Sequence, residues 1–222
     1  MILPAGPAPA SPERLVIFIR HGQVAGAAGR CIGQTEVDLT AEGHAAVRAL
    51  AVASAERWTA TGPGKPRLVA SDLRRARDSA AIIGSVLGVR SEADRRLREM
   101  HFGAWDGHTW SEIEETDGAR LRSWTESWWT TPAPGGEGVP DLARRADAWI
   151  ATEARPGPHD ARTLIVVSHS GFIRTALCQL LGYSLTRMFD LPVGYARATT
   201  VQVAAGSATL IEADTALPMQ VR

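Results

Sequence analysis

Three short apolar runs along the chain are typical of buried strands in a parallel sheet. Residues 15–19 (LVIFI), 67–70 (RLVA) and 163–167 (TLIVV) are rich in β-branched residues, and polar residues follow each of them. A strand that is apolar on both faces is covered on both faces, as in a sheet that lies between two layers of helices. The pattern predicts a central, mostly parallel sheet with polar groups at the carboxyl ends of its strands.

Helical periodicity occupies the intervals between these strands, and the fold class predicted is α/β, a three-layer α/β/α sandwich. Two apolar segments on either side of Gly206 and Ser207, at 197–203 and 208–213, predict a terminal hairpin or edge strands. The predicted helices run from the Thr40 cap to about residue 58, from Ser71 and Asp72 as cap residues onward, from the Thr109 capping box onward, over 141–154 and over 172–181.

The chain has 222 residues, 45% of them hydrophobic, which suits one well-cored domain. We expect residues 1–13 to form a flexible tail and residues 14–222 a single domain, with a helical insertion around 104–138. The tryptophans of that insertion, Trp124, Trp128 and Trp129, are assigned to packing rather than to ligand contact.

Charge and cysteine content exclude several classes of partner. Lys plus Arg and Asp plus Glu both number 24, so the formal net charge is zero and no general attraction to nucleic acid or to an anionic membrane is expected. The apolar runs are too short for a membrane span, and Cys31 and Cys178 are too few for a disulfide framework. We therefore expect a cytoplasmic protein with reduced thiols. A homodimer is one of the oligomeric states that the sequence leaves open.

Two histidines and two arginines are predicted to meet at one edge of the sheet. Arg20 and His21 follow the first strand, His169 follows the last of the three buried strands, and a helix that starts near Arg74 and Arg75 follows the second. The carboxyl ends of parallel strands form the usual ligand crevice of an α/β sheet. Guanidinium groups and helix N-termini suit a phosphate dianion, so no metal and no cofactor is needed.

A neutral imidazole can itself attack phosphorus, and both His21 and His169 are candidates for the nucleophile. The leaving alkoxide would then need a proton, and the later water would need to lose one. A single carboxyl group can serve both steps, and we choose Glu99. His101 and His108 lack the spacing and carboxylates of a metal site.

Six blocks along the chain together resemble the histidine phosphatase (phosphoglycerate mutase-like) superfamily, in the order found in that family and over nearly the whole chain after residue 13. The blocks are 20–23 (RHGQ), 33–43 (GQTEVDLTAEG), 71–76 (SDLRRA), 97–103 (LREMHFG), 134–137 (PGGE) and 167–171 (VSHSG).

The resemblance implies that His21 becomes phosphorylated, that Arg20, Arg75 and His169 hold the phosphoryl group, and that Glu99 shuttles the proton. The acid phosphatase and phytase branch carries its aspartic proton donor where this chain has Ser170, which disfavours that branch.

Departures from the family pattern bear on the substrate. Val24 and Ala27 stand where most relatives carry polar residues, and Ile32 stands where glycolytic mutases tend to have Thr. These changes disfavour mutase activity and favour an ester larger or more apolar than phosphoglycerate. Residues 29–35 (GRCIGQT) are similar to segments of phosphatases related to α-ribazole phosphatase.

The sequence thus predicts a phosphomonoester hydrolase that acts on a small-molecule phosphate ester. Besides the residues already assigned, four are predicted to contact substrate: Gln23, Arg30, Gly33 and Trp105. For Trp105 and Trp110, lining the pocket and packing in the core are equal alternatives. A mutase-type phosphotransferase and a catalytically silent phosphoester-binding protein remain the alternative functions.

Overall fold

The computed structural model describes residues 13–157, 160 and 162–215, so the tail predicted for residues 1–13 lies almost wholly outside the described residues. The strands are β1 (Arg14–Arg20), β2 (Arg67–Ala70), β3 (Ser91–Ala93), β4 (Leu164–Ser168), β5 (Ala198–Val203) and β6 (Ala208–Thr215). The α-helices are α1 (Ala41–Ala60), α2 (Arg74–Leu87), α3 (Trp110–Glu126), α4 (Val139–Trp149) and α5 (Ser170–Leu181).

Within these residues the strands form a single mixed sheet in the order β3-β2-β4-β1-β5-β6. Parallel pairing joins β3 to β2, β2 to β4 and β4 to β1, whereas β5 is antiparallel to both β1 and β6. The predicted mostly parallel sheet and the terminal hairpin are therefore confirmed.

The two faces of the sheet carry separate cores, which makes the fold a three-layer sandwich as predicted. On β1, Ile17 and Ile19 pack with α1 and α2, and Val16 and Phe18 pack with α4 and α5. Alternate side chains of one strand are thus buried on opposite faces, which explains why the strand sequence is apolar throughout. No helix among the described residues is long and apolar enough to cross a membrane.

Two local predictions needed correction, and one short strand was missed. Helix α2 begins at Arg74, and its N-terminal N–H at Arg74 donates to the carboxylate of Glu36 at 2.8 Å, so Ser71 and Asp72 are not its caps. The helix predicted over 141–154 begins at Val139 and ends in a π-helical turn at Ile150–Ala154. The short strand β3 was not predicted, because its three residues are exposed and carry no apolar pattern.

The pairing of β1 with β4 brings the ends of two strands side by side. Arg20 lies opposite Ser168 in the parallel register, and the backbone N–H of His21 donates to the Ser168 carbonyl at 3.1 Å. The residues that follow, His21 and His169, therefore leave the sheet at the same point.

Candidate active site

His21 and His169 lie together in a buried pocket at the carboxyl ends of β1 and β4. Their ring centroids are 5.0 Å apart, and the two residues are almost fully buried. Arg75, from the first turn of α2, lies between them: its Nε is 3.2 Å from His21 Nε2 and 3.1 Å from His169 Nδ1. The sheet and one helix thus bring together three of the residues that the sequence predicted at this edge.

The hydrogen bonds assign a tautomer to each ring. His21 Nδ1 is 2.8 Å from the Gly22 carbonyl, which can only accept, so Nδ1 carries the proton and Nε2 presents a lone pair to the Arg75 N–H. On His169, Nδ1 accepts from Arg75, and Nε2 donates to the Ser71 hydroxyl at 2.8 Å. The lone pair on His21 Nε2 therefore faces the pocket, and the other nitrogen is held by the backbone.

Burial keeps both imidazoles neutral. It is the main cause that lowers the pKa of His21 and of His169 well below the ordinary value, and the positive charge of Arg75 lowers both further. A neutral imidazole retains the lone pair that an imidazolium lacks. Both imidazoles in the pocket are therefore uncharged at neutral pH.

Asp106 holds the loop that fixes Arg75, and sequence analysis missed it. Its carboxylate accepts from the backbone N–H groups of Gly33 at 3.0 Å, Gln34 at 2.7 Å and Thr35 at 3.2 Å, and from the Thr35 hydroxyl at 2.5 Å. The carbonyls of Gly33 and Thr35 in turn accept from the Arg75 guanidinium at 2.5 and 2.8 Å.

The same loop has no room for a larger residue. A Cβ added to Gly33 would lie 2.5 Å from the Met100 carbonyl and 2.6 Å from the Asp106 carboxylate. Burial raises the pKa of Asp106, but the hydrogen bonds from the loop outweigh that effect and leave the pKa below its usual value.

Arg20 approaches the same pocket from the end of β1 and is held by Tyr195. Its guanidinium carbon lies 3.6 Å from the centroid of the Tyr195 ring, and Nη1 donates to the Val193 carbonyl at 2.9 Å. The Tyr195 ring is also 5.5 Å from the His21 ring. Sequence analysis did not identify Tyr195, which lies in an irregular segment before β5.

The side chain of Glu99 reaches the start of α5, two residues after His169. Its two carboxylate oxygens accept from the backbone N–H groups of Met100 at 3.0 Å and Gly171 at 3.1 Å. Arg145 fixes the backbone of this segment by donating to the Arg98 carbonyl at 2.6 Å, and Glu137 forms an ion pair with Arg145 at 2.8 Å. The PGGE block thus supports the chain segment that carries Glu99.

A cavity of about 380 Å³ opens beside Glu99. Its wall is largely apolar and includes five aromatic rings, and the Trp128 ring packs against Phe189 with centroids 4.8 Å apart. Trp124 and Trp128, which the sequence assigned to packing, face this cavity. The residues that line it are Arg30, Cys31, Ile32, Glu99, Met100, Phe102, Trp110, Trp124, Thr125, Trp128, Val139, Ser170, Gly171, Arg174, Met188 and Phe189.

The residues predicted to contact substrate are placed differently from one another. Arg30 lines the cavity, and Gln23 lies in a second groove beside Tyr195. Gly33 acts through its backbone on Arg75. Trp105 is 3% exposed, packs against Ile113 and Cys31, and donates from Nε1 to Asp117 at 3.1 Å, so it packs in the core. Trp110 lines the cavity, as the other alternative predicted. The described residues contain no cluster of side chains suited to a metal ion.

The comparison with known proteins agrees with this architecture. The profile described as "Histidine phosphatase superfamily (branch 1)" matches residues 16–214, and the chain belongs to this family. Glucosyl-3-phosphoglycerate phosphatase of Mycobacterium tuberculosis is 38% identical over 178 residues, which are 76% of this chain and 75% of the relative. The corresponding enzyme of Mycolicibacterium vanbaalenii is 36% identical over 202 residues, 86% of this chain and 84% of the relative.

Solved structures extend the likeness. A mycobacterial glucosyl-3-phosphoglycerate phosphatase described as a complex with VO3 superposes with a TM-score of 0.74 at 31% identity, over 91% of this chain and 99% of the other. An Escherichia coli protein described as a putative alpha-ribazole-5'-P phosphatase gives a TM-score of 0.81 over 92% and 97% of the two chains, and at 22% identity it shows the fold. Because the chain belongs to this family and its relatives are phosphatases, it is a phosphomonoester hydrolase.

Proposed function

We propose that this hydrolase acts through a phosphohistidine formed on Nε2 of His21, with a small-molecule ester as substrate. The observation that carries the proposal is the pair of hydrogen bonds at His21: Nδ1 donates to the Gly22 carbonyl, and Nε2 keeps its lone pair toward Arg75. A neutral, oriented imidazole in a pocket of cationic donors is equipped to attack a phosphoryl group.

In the first step, His21 Nε2 forms a bond to phosphorus while the bond from phosphorus to the ester oxygen breaks. Arg20 and Arg75 donate hydrogen bonds to the equatorial oxygens, and the protonated Glu99 carboxyl gives its proton to the leaving alkoxide. His169 donates as well when it adopts the tautomer in which Nδ1 carries the proton and Nε2 accepts from the Ser71 hydroxyl. In the second step, the Glu99 carboxylate takes a proton from water, whose oxygen attacks phosphorus. The N–P bond breaks, and inorganic phosphate and neutral His21 result.

The shape of the site favours an ester with a bulky leaving group. Glu99 lies between the histidine pair and the aromatic cavity, so a leaving group protonated by Glu99 extends into that cavity. Rings such as Trp110 and Trp128 suit flat apolar surfaces and the C–H faces of sugars. The substrates named for the relatives, glucosyl-3-phosphoglycerate and α-ribazole phosphate, are both large enough to use this space, in contrast to 3-phosphoglycerate.

Trapping of the phosphoenzyme tests the route. The enzyme would be mixed with ³²P-labelled ester in the presence of EDTA, quenched in alkali, and analysed for protein-bound label that is stable to base and labile to acid. We expect such label in the native protein and in His44→Ala, a control at an exposed histidine on α1, and none in His21→Ala. Phosphate release should fall by about 10⁴-fold or more in His21→Ala.

A second measurement separates hydrolysis from phosphoryl transfer. The candidate esters, together with 3-phosphoglycerate as the small ester, would be assayed for inorganic phosphate and for transfer of label to another hydroxyl of the substrate. Release of phosphate without label transfer supports the hydrolase. Label that moves between substrate positions without phosphate release would instead support a mutase, and base-stable label on His21→Ala would place the covalent intermediate elsewhere.

A further inference from the structure

Arg174, on the second turn of α5, is a half-buried guanidinium in the wall of the aromatic cavity. Nε donates to the Leu191 carbonyl at 2.9 Å, and Nη1 donates to the Ser170 hydroxyl. Among the described residues, Nη2 donates to no acceptor, and no carboxylate forms an ion pair with Arg174. Arg174 is therefore oriented by two neutral groups, and no ion pair within this part of the chain balances its charge.

A partly desolvated charge without a counterion is unfavourable, and an anionic ligand would offset that cost. Burial is the main cause that lowers the pKa of Arg174, the positive charge of Arg20 lowers it further, and the carboxylates of Glu99 and Asp214 counteract this only in part. The Phe189 ring, whose centroid lies 5.4 Å from the Arg174 guanidinium carbon, adds apolar surface on the same side. Inside such a wall, a monoanion paired with Arg174 would be shielded from water.

The position of Arg174 along the site assigns it to the leaving group. The phosphoryl group has its own donors in Arg20, Arg75 and His169. Glu99 is held by the N–H of Gly171, and Arg174 lies about one helical turn further along α5, on the cavity wall. A group bound by Arg174 therefore lies beyond the ester oxygen that Glu99 protonates. One guanidinium balances one negative charge, which suits a carboxylate better than a second phosphate dianion.

We propose that Arg174, oriented by Ser170 and by the Leu191 carbonyl, is a specificity-determining residue that binds a carboxylate on the leaving group of the substrate. The preferred esters are then phosphorylated hydroxy acids whose carboxylate reaches into the aromatic cavity. This inference rests on the proposed function, since it names the kind of ester that the same site selects.

Binding of two non-hydrolysable phosphonates tests the assignment without requiring turnover. Calorimetry would compare (4-carboxybenzyl)phosphonate with (4-carbamoylbenzyl)phosphonate, which has nearly the same shape but no second charge. We expect the carboxylate to bind about tenfold more tightly, because a charge-assisted hydrogen bond is stronger than a neutral one. The preference should vanish in Arg174→Gln, survive in part in Arg174→Lys, and stay intact in Arg48→Gln, which removes the same charge from exposed α1.

The ratio of the two affinities separates recognition from a structural role. If Arg174 only pins the segment around Leu191, then Arg174→Gln would weaken both phosphonates equally, lower the melting temperature and leave the ratio unchanged, which would overturn the proposal. Loss of the preference in Arg30→Gln but not in Arg174→Gln would assign the carboxylate to the opposite wall and overturn it as well.

Failure of the proposed function has a different signature from failure of this subsite. If the protein releases no phosphate from any ester but still binds the carboxylate phosphonate more tightly, the Arg174 proposal stands and the phosphohistidine proposal fails. If it hydrolyses 4-carboxybenzyl phosphate and 4-carbamoylbenzyl phosphate with the same kcat/KM, and binds both phosphonates equally, the phosphohistidine proposal stands and the Arg174 proposal fails.

Discussion

The buried pocket around His21, Arg75 and His169 and the aromatic cavity lie next to each other but are built in different ways. The pocket takes its side chains from positions directly after β1 and β4 and from the first turn of α2, and its groups are buried and joined by hydrogen bonds. The cavity takes its wall from α3 and the residues that follow it, from α5, from the segment at Leu185–Asp190, from the start of α4 and from residues 30–32 and 99–102. Its groups are mostly apolar, and five of them are aromatic.

This difference indicates a division between chemistry and selectivity. In the proposed mechanism, the groups that would face phosphorus follow sheet strands directly or lie on the first turn of α2, where backbone pairing and burial fix them. The surfaces that would select the leaving group lie on helices and loops that can change without moving His21. Substitutions in the pocket should therefore affect all esters, and substitutions in the cavity should affect some esters more than others.

The largest effect that tests this division is expected for Glu99→Gln, at the boundary of the two regions. Loss of the proton donor should lower kcat for alkyl phosphates by about 10²–10⁴-fold. 4-Nitrophenyl phosphate needs little protonation, so its first step should stay fast while attack by water becomes slow. Rapid-mixing kinetics should show a burst of nitrophenol equal to the enzyme concentration. Equal losses for both esters without a burst would contradict the two-step role of Glu99.

Asp106→Asn is expected to have the next largest effect, through the loop that holds Arg75. The amide offers one acceptor oxygen where the carboxylate accepts four hydrogen bonds, so the 33–35 loop should loosen and Arg75 with it. We expect kcat/KM to fall about 100-fold for every ester, with weaker competitive inhibition by inorganic phosphate. The native protein should have a larger free energy of unfolding than Asp106→Asn at neutral pH. This difference should shrink as the pH falls through the depressed pKa of Asp106, because a protonated carboxyl accepts the loop hydrogen bonds less strongly than a carboxylate does.

Asp117→Asn is the matched control, because Asp117 accepts from the Trp105 indole and does not contact the Arg75 loop. It should lower the melting temperature with little change in inhibition by phosphate. If the two variants weaken phosphate inhibition equally, then Asp106 acts on general stability and has no specific effect on Arg75.

Asp106 also shows where prediction from sequence ends. His21 and His169 could be predicted because each follows an apolar strand directly, and the register of parallel strands then brings them together. Asp106 lies more than 70 residues from the loop that it binds, and its neighbours show no periodic pattern. A contact between two irregular segments depends on the tertiary structure and leaves no local signal.

The tryptophans of the insertion show the same limit. An amphipathic helix from the Thr109 capping box could be predicted, and it is present as α3. Which of its aromatic rings are buried depends on the kink at Asp117 and on the segment that carries Phe189. Spacing alone therefore could not separate Trp105, which packs in a core, from Trp110 and Trp128, which line the cavity.

Trp128→Ala should separate the two regions by changing selectivity. Removal of a ring that covers roughly 50 Å² of apolar ligand surface costs about 1.4 kcal/mol, or about tenfold in kcat/KM. We expect that loss for 2-naphthyl phosphate and a much smaller one for ethyl phosphate. Trp129→Ala is the control, since Trp129 packs edge-on against Trp128 but does not line the cavity. Equal losses for both esters would mean that the insertion supports the pocket as a whole.

The smallest effect is expected for Tyr195→Ala, which tests whether side chains outside the regular elements also position the pocket. The Tyr195 ring holds the Arg20 guanidinium at 3.6 Å, and an exposed contact of this kind contributes about 1 kcal/mol. The inhibition constant of inorganic phosphate should rise about fivefold in Tyr195→Ala and much less in Tyr195→Phe, which keeps the ring. Tyr183→Ala, at an exposed tyrosine after α5, should leave it unchanged. If Tyr195→Phe weakens phosphate binding as much as Tyr195→Ala does, then the hydroxyl group rather than the ring orients Arg20, and the pocket depends on a hydrogen bond from this irregular segment.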